Sequence, residues 1–160
     1  MIILGVDPAL SVTGYGVIRA ERGQLSLIEA GIISTSSRQE LPERLGKIYN
    51  ALVKLISDVK PDCLVLEKLY AHYRHPTTAY LLGQARGVIC LACAIQKVKL
   101  EEYAATRVKK AIVGRGLASK SQVQRMVSSI LGLESVPKYT DVTDALGLAI
   151  AHSYIAKARI

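Results

Sequence analysis

The hydrophobic period of the chain changes between residues 34 and 63, and this change constrains the fold more than any other feature. Three extended apolar segments come first, at about residues 2–6, 13–19 and 24–34. Apolar residues then recur every three or four positions over 41–59, which predicts an amphipathic helix. The following segment, 63–67, is short and nearly all apolar, as in strands buried on both faces of a sheet. This order predicts an antiparallel meander, a crossover helix and a strand that returns to the same sheet.

The remainder of the chain predicts one more strand and four helices. A helix from 76 to about 97 is apolar on more than one side and is expected to be heavily buried. A short strand at about 98–103 follows, and the pattern then gives helices at about 105–113, 120–131 and 140–158. No internal repeat or linker interrupts this pattern. We therefore expect a single mixed-sheet α/β domain over residues 1–160.

The chain is strongly basic, since 21 Lys and Arg residues oppose 13 Asp and Glu residues and give a net charge of +8. Nucleic acid, an anionic membrane surface and simple solubility would each account for this excess. The N-terminus lacks the features of a signal peptide, and the longest apolar run, 88–95, is shorter than the roughly 20 residues that span a bilayer. Three cysteines without a metal-ligand pattern fit a reducing compartment. These features predict a soluble cytoplasmic protein without a membrane span.

Four acidic residues stand out by their positions. Asp7 and Glu67 each end an apolar strand, and Asp141 and Asp144 lie three residues apart at the start of the last helix, on one face. Strand ends that are neighbours in the sheet would present Asp7 and Glu67 to the same place. Clustered carboxylates repel unless a cation neutralises them, and hard oxygen ligands favour Mg²⁺ or Mn²⁺. Two such ions can hydrolyse a phosphodiester, so the pattern indicates a metal-dependent nuclease.

Each acid also has an ordinary structural interpretation. Asp7 precedes Pro8 and can simply form a turn; Asp141 and Asp144 can favour the positive end of a helix dipole; Glu67 can be a solvated strand end. Each interpretation is reasonable alone. All of them together are less so, because chance does not readily place four acids in this pattern in a basic chain.

Six short motifs run in order along nearly the whole chain: ILGVDP (3–8), TGYGVI (13–18), LGQARGV (82–88), YAATRVKKAIVG (103–114), KSQVQ (120–124) and DAL (144–146). In sequence and order they resemble the RuvC-type Holliday junction resolvases, which are RNase H-like nucleases. The resemblance implies one RNase H-like nuclease domain over residues 1–160, with a mixed five-stranded sheet and helices on both faces.

The resemblance also implies an activity and a site. The chain is expected to be a structure-selective endodeoxyribonuclease that cuts four-way DNA junctions by paired symmetric nicks during recombination and repair. Asp7, Glu67, Asp141 and Asp144 match the family's catalytic, metal-binding acids, with two Mg²⁺ ions, or Mn²⁺, per active site. The expected partners are junction DNA, a second copy of the chain in a homodimer, and the RuvA and RuvB branch-migration proteins. The apolar helix at 76–97 is the predicted dimer interface.

Two basic regions are predicted to contact DNA. After Glu67, the segment 68–80 interleaves aromatic and cationic side chains, and Tyr70, Tyr73 and Arg74 are the predicted contacts to bases and phosphates. Around the glycine loop at 114–116, a basic track formed by Lys109, Lys110, Arg115 and Lys120 is predicted to bind phosphates.

For this track, the resemblance places Lys109 and Lys120 near the scissile phosphate, where they would stabilise the transition state. An ordinary exposed cation remains the alternative for Lys110 and Arg115. The alternative for 68–80 is a partly packed loop with solvated charges.

Some alternatives stay open on the sequence. The first is a non-catalytic module that binds junctions without cutting them. An actin-like ATPase or sugar kinase also begins with a strand that ends in an acid, but such enzymes bind nucleotide between two domains and this chain has room for one. Ala9 departs from the family, which usually has Gly there, so a turn requiring positive φ would be strained or reshaped. His152, eight residues beyond Asp144, is expected to pack rather than to bind metal.

Overall fold

The computed structural model describes residues 1–69 and 76–157, which form a five-stranded sheet flanked by five helices. The strands are β1 (Ile2–Asp7), β2 (Val12–Glu21), β3 (Gln24–Ser34), β4 (Cys63–Glu67) and β5 (Lys99–Tyr103). The helices are α1 (Leu41–Val59), α2 (Pro76–Gln96), α3 (Ala105–Val113), α4 (Lys120–Leu131) and α5 (Thr140–Lys157). The predicted elements are confirmed in order and type, and their bounds differ by one or two residues at most ends.

The sheet is mixed, with the strand order β3-β2-β1-β4-β5. β1 runs antiparallel to β2 and parallel to β4, and β4 runs parallel to β5. Because parallel neighbours end at the same edge, the carboxyl ends of β1 and β4 lie side by side. This topology brings Asp7 and Glu67, the last residues of those two strands, to one edge of the sheet.

Helices cover both faces of the sheet, and the strand period assigns alternate residues to each. Ile3 and Val65 pack with Leu146 in the core under α3, α4 and α5. Leu4 and Leu64 belong to the opposite core under α1 and α2. Every one of these side chains is fully buried, and each burial stabilises the fold by about 1.5–3 kcal/mol. β1 and β4 are nearly all apolar because both of their faces are covered.

Three glycines on one face of the sheet let helix α5 approach β1 and β2 closely. A Cβ atom at Gly5 would lie 1.9 Å from the carbonyl oxygen of Ala145, and one at Gly16 would lie 2.4 Å from Cδ2 of Leu146. Gly5 and Gly16 are register partners, and Gly14 lies opposite Asp7 two pairs further along. Any larger side chain on this row would push the helix away from the sheet.

Helix α2 is less buried within the chain than its sequence suggests. Ala85, Ile89, Ala92 and Cys93 form one buried stripe, whereas Tyr80, Leu91 and Ile95 are between 53% and 64% exposed. The expectation of a heavily buried helix is therefore wrong for the single chain. Apolar residues occur around the helix, but one sheet face can cover only one side of it.

The same helix bears on the expectation of no membrane span. By length and composition alone, Thr77–Gln96 could cross a membrane, although the core helix of a soluble protein passes the same test. The helix passes this test because single polar residues interrupt its apolar runs without lowering its mean hydropathy enough to fail it. The stripe buried against the sheet and the charged Arg86 in the middle of the helix favour a packed helix of this domain.

Candidate active site

Asp7 is positioned by the pairing of β1 with β2 and by the strand period. It ends β1 opposite Gly14 and points to the same face as Gly5, two residues earlier. That face is the one on which α5 packs. The first acid of the predicted cluster is therefore held between the sheet and the start of α5.

Asp141 and Asp144 lie in the first turns of α5, as the sequence predicts. At Gly14 a Cβ atom would lie 2.2 Å from the carbonyl oxygen of Asp141 and 2.7 Å from its Cβ atom. The absence of a side chain at Gly14 thus allows the start of α5 to lie against the strand that pairs with Asp7. Local sequence places the two acids on a helix, and the glycine brings that helix to Asp7.

Most of the predicted acids surround one cavity of about 360 Å³. Asp7, Glu67 and Asp144 line it, whereas Asp141 does not. Lys109, from α3, and Lys120, from α4, also line it. The remaining lining residues are small or apolar: Ala105, Val108, Val123, Gly147 and Leu148. The cavity therefore combines three carboxylates with two ammonium groups against an apolar wall.

The electrostatics indicate that the carboxylates are crowded. Burial raises the pKa of Asp7 from its ordinary 3.8 to about 7, with further increases from the charges of Asp144, then Asp141, then Glu67. Lys120 acts in the opposite direction. Asp141 thus acts on the cluster through its charge although it does not line the cavity. Neutralising all four acids requires more positive charge than Lys120 provides.

Glu67 reaches solvent, yet the surrounding protein still raises its pKa. The causes are desolvation first and the charge of Asp144 second, and Lys109, Lys120 and Arg86 counteract them. Lys120 pairs directly with Asp144, with 3.0 Å between Nζ and Oδ2. This hydrogen bond is the main reason that the pKa of Lys120 is raised. Lys120 therefore remains charged beside the carboxylates.

Helix α4 places Lys120 through its N-terminal cap. The Ser119 hydroxyl accepts a hydrogen bond from the Gln122 backbone N–H at 3.2 Å, and Gln122 Oε1 accepts one from the Ser119 N–H at 2.9 Å. Because this capping box fixes where the helix begins, it also fixes the backbone position of Lys120, the first helical residue. Lys120 Nζ provides the positive charge next to Asp144.

The side chains of the candidate site offer carboxylate oxygens as donors to a metal ion. Within residues 1–69 and 76–157, no three His, Cys, Asp or Glu side chains already form a group that could hold an ion. The available donors are carboxylate oxygens, which suit hard divalent cations such as Mg²⁺ and Mn²⁺. Their mutual repulsion at Asp7 and the ammonium group already paired with Asp144 both indicate a place that attracts positive charge. The chemistry fits a divalent cation, although the carboxylates are not yet arranged around one.

The turn after Asp7 tolerates Ala9 without positive φ. Ala9 is not among the described non-glycine residues with positive φ, which are Arg22, Lys60 and Lys97. The buried Thr13 holds the turn instead, because its hydroxyl donates to the Ala9 carbonyl at 2.6 Å. The expected strain at Ala9 is therefore absent, and its carbonyl is fixed by a side chain of β2.

The structure describes only some of the residues predicted to contact DNA. Tyr70, Tyr73 and Arg74 lie outside the described residues. Lys109 and Lys120 line the cavity, whereas Arg115 is exposed in the loop between α3 and α4 and does not line it. Their role as DNA contacts stays a prediction.

Sequence reasoning missed one charged residue next to the site. Arg86, on α2, donates from Nη1 to the carbonyl oxygen of Glu67 at 2.8 Å. The motif LGQARGV contains Arg86 but predicts no contact for it, since no spacing rule connects Arg86 with a strand end 19 residues earlier. His152, in contrast, packs as expected: it is buried, with 2.9 Å between its Nδ1 and the Tyr103 hydroxyl.

Removal of the Asp7 charge is expected to stabilise the metal-free protein near neutral pH. Because the pKa of Asp7 is about 7 in the folded chain and 3.8 ordinarily, folding favours the protonated carboxyl. The contribution of protonated Asp7 to the free energy of unfolding is therefore fully present below about pH 4, and it is lost as the pH rises through about 7. In EDTA at about pH 8, Asp7→Asn should therefore raise the free energy of unfolding by about 2–4 kcal/mol. Urea denaturation measures this gain, which should shrink toward about pH 4; an equal gain at both pH values would contradict the assignment.

Comparisons with known proteins agree with this geometry. Residues 3–152 match the family described as crossover junction endodeoxyribonuclease RuvC. The chain is 47% identical to the protein of that name from Rhodopirellula baltica over 154 residues, covering 96% of this chain and 86% of the relative. It is 44% identical to the one from Alkaliphilus metalliredigens, over 96% of this chain and 93% of the relative.

Solved structures give the same result for the fold. T. thermophilus RuvC in complex with a Holliday junction substrate superposes with a TM-score of 0.95 at 29% identity, covering 99% of this chain and 96% of that one. The fowlpox virus Holliday junction resolvase, at 14% identity and a TM-score of 0.60 over 96% and 98% of the two chains, shares the fold. The expected RNase H-like fold, with its mixed five-stranded sheet, is therefore confirmed.

Proposed function

The chain belongs to the crossover junction endodeoxyribonuclease RuvC family, and we propose that it resolves four-way (Holliday) DNA junctions by paired symmetric nicks at a divalent-metal site. Family membership makes it an endodeoxyribonuclease, a hydrolase of phosphodiester bonds in recombination and repair. One observation supports the location of the active site above others. Asp7, Glu67 and Asp144, from three separate elements, line one cavity together with two lysines.

The acids are proposed to hold the metal ions, with Mg²⁺ as the first choice, Mn²⁺ as a substitute and two ions per active site. Asp7, Glu67 and Asp144 face the cavity, and the charge of Asp141 acts on Asp7 from outside it. Bound there, divalent ions supply an activated water and stabilise the charge of the leaving oxygen. The protein supplies the fixed carboxylates and excludes bulk water on one side with Val108, Val123 and Leu148. An apolar wall lowers the local dielectric and strengthens each charge interaction in the cavity.

The two lysines of the cavity are proposed to act on the DNA phosphate. Lys120 is ion-paired with Asp144, and its side chain remains 67% exposed, so its ammonium group can also reach a phosphate at the cavity mouth. Lys109 enters from α3. Positive charge fixed beside the scissile phosphate stabilises the negative charge that develops in the transition state. Tyr70, Tyr73, Arg74 and Arg115 are proposed to bind the junction outside this centre.

The protein is proposed to work as a homodimer that pairs through helix α2. Two coordinated nicks in a junction with two-fold symmetry require two active sites related by the same symmetry. Leu91 and Ile95, one helical turn apart, are 53% and 54% exposed on α2 and give a second copy an apolar surface to bury. We further propose that the dimer acts in the cytoplasm, without a membrane span, alongside the branch-migration proteins RuvA and RuvB.

Charges placed on the exposed face of α2 are expected to separate the dimer. Leu91→Glu combined with Ile95→Glu would bury like charges against each other, at a cost of several kcal/mol across a symmetric interface. Sedimentation velocity should find dimers for the parent and monomers for the double variant. Leu27→Glu, at an exposed apolar position on β3, serves as the control and should remain dimeric. A double variant that stays dimeric would exclude this interface.

The proposed function is tested with the unmodified protein. An end-labelled four-way junction and a linear duplex of the same arms are each incubated with Mg²⁺ or with EDTA, and the products are mapped on a denaturing gel. We expect nicks at symmetric positions in two opposing strands of the junction, only with Mg²⁺. Tight junction binding without cleavage in Mg²⁺ or Mn²⁺, across several core sequences, would instead favour a non-catalytic junction-binding module.

A further inference from the structure

Arg86 connects helix α2 with the ends of two neighbouring strands. Its Nη1 donates to the Glu67 carbonyl oxygen at 2.8 Å, and its Nη2 forms an ion pair with the Glu102 carboxylate. The Arg86 side chain is only 12% exposed, so its partners replace most of its contact with water. A guanidinium group with two directed donors holds its partners at a fixed spacing, which a lysine cannot do.

The backbone of Glu67 has few other attachments at this point. Register pairing between β1 and β4 ends at Gly5 and Val65, two residues before Glu67. On the other side Glu67 pairs with Tyr103, and the next residue, Lys68, donates its N–H to the Tyr103 carbonyl at 2.8 Å. The strand end is therefore held by β5 on one side and by Arg86 from above the sheet. Loss of the Arg86 bond would free the Glu67 carbonyl on the α2 side.

We propose that Arg86 is a positioning residue that fixes the Glu67 backbone for metal binding and ties helix α2 to the active site. The proposal rests on the proposed function, because it assigns Glu67 to the metal site. Helix α2 also carries the exposed apolar residues Leu91 and Ile95. A shift of α2 would move the guanidinium group and with it the carbonyl of Glu67. The same bond therefore connects the proposed dimer helix with one carboxylate of the cluster.

The test compares Arg86→Gln and Arg86→Lys with a matched control, Arg19→Gln. Arg19 pairs with Ile2 at the start of β1, far along the strand from Asp7, and its replacement removes the same charge. Arg86→Gln should lower kcat for junction cleavage by about 10–100-fold, because a small misplacement of a catalytic group has effects of this size. Its KM, its junction affinity in EDTA and its dimerisation should stay within about twofold of the parent. Arg86→Lys should recover part of kcat, and Arg19→Gln should match the parent.

A second readout separates positioning from general loss of structure. Calorimetric titration with Mn²⁺ should show weaker binding to Arg86→Gln by about tenfold, with no change for Arg19→Gln. Glu102→Gln changes a side chain that is 42% exposed, so the variant should fold normally. It should weaken Mn²⁺ binding by about threefold, which is less than the effect of Arg86→Gln. Parental kcat and Mn²⁺ affinity in Arg86→Gln would overturn the proposal. So would a Glu102→Gln variant with parental Mn²⁺ affinity if Arg86→Gln fails to fold.

The calorimetric result also distinguishes this proposal from the proposed function. If the parent binds Mn²⁺ but cuts no junction, the assignment of the reaction fails while the role of Arg86 at the metal site is still measured. If the parent cuts junctions and Arg86→Gln cuts equally well, the reaction stands and the role of Arg86 fails.

Discussion

Asp7→Asn is expected to lower junction cleavage by about 10³-fold or more, while junction affinity in EDTA stays within about twofold. The substitution preserves the size of the side chain but removes one of the three carboxylates that line the cavity. An amide oxygen is a weaker ligand for a divalent cation than a carboxylate. Lys109 and Lys120 remain, so phosphate attraction is kept while metal binding is lost. Binding and cutting should thus separate in this variant.

Single-turnover cleavage and gel-shift titration of the same preparation measure the two effects. Asp58→Asn is the matched control, because Asp58 lies on α1 and forms an exposed ion pair with Lys54. The control should cut at the parental rate. Urea denaturation of the same preparation separates lost activity from lost structure, because the raised pKa of Asp7 predicts that the metal-free variant is at least as stable as the parent near neutral pH. Parental cleavage by Asp7→Asn would remove Asp7 from the active site.

Gly14→Ala is expected to lower cleavage by about 10²-fold, although it changes no charge. The added methyl group would lie 2.2 Å from the Asp141 carbonyl oxygen, so the first turn of α5 has to move away from β2. That movement carries Asp141 and Asp144 away from Asp7. The crowding should also lower the free energy of unfolding by about 1–3 kcal/mol.

Gly46→Ala provides the control for this substitution. Gly46 lies within α1, and a Cβ atom there would meet nothing within 4 Å. The change should stabilise the helix by about 0.5–1 kcal/mol and leave cleavage unchanged. Urea denaturation and single-turnover kinetics distinguish the two glycines. A Gly14→Ala variant that cuts at the parental rate would show that close contact between β2 and α5 is not needed for the site.

The sequence was sufficient to predict those features that depend on local pattern. The periods of the apolar residues predict the order of the strands and helices. Asp7 and Glu67 stand out because a charged side chain at the end of a buried apolar strand must contact water or a ligand. The helical spacing of Asp141 and Asp144 was equally local. The family resemblance adds the assignment of these four acids to the active site of a nuclease.

Features that depend on tertiary contact could not be predicted in this way. Asp141 does not line the cavity although Asp144 does, and no period encodes how closely the start of α5 packs on Gly14. Arg86 reaches Glu67 across 19 residues of chain. Apolar residues occur on both the exposed and the buried side of α2, so sequence cannot tell which side the domain will cover.

The proposed active site is tested most directly by single-turnover junction cleavage over a range of Mg²⁺ concentrations with four variants: Asp7→Asn, Glu67→Gln, Asp141→Asn and Asp144→Asn. All four should bind the junction in EDTA as the parent does. We expect Glu67→Gln and Asp144→Asn to lose at least about 10²-fold in rate at any Mg²⁺ concentration, Asp7→Asn to lose about 10³-fold or more, and Asp141→Asn to require more Mg²⁺. Parental rates and Mg²⁺ dependence in the three variants that line the cavity would contradict the assignment of this carboxylate cluster as the cutting site.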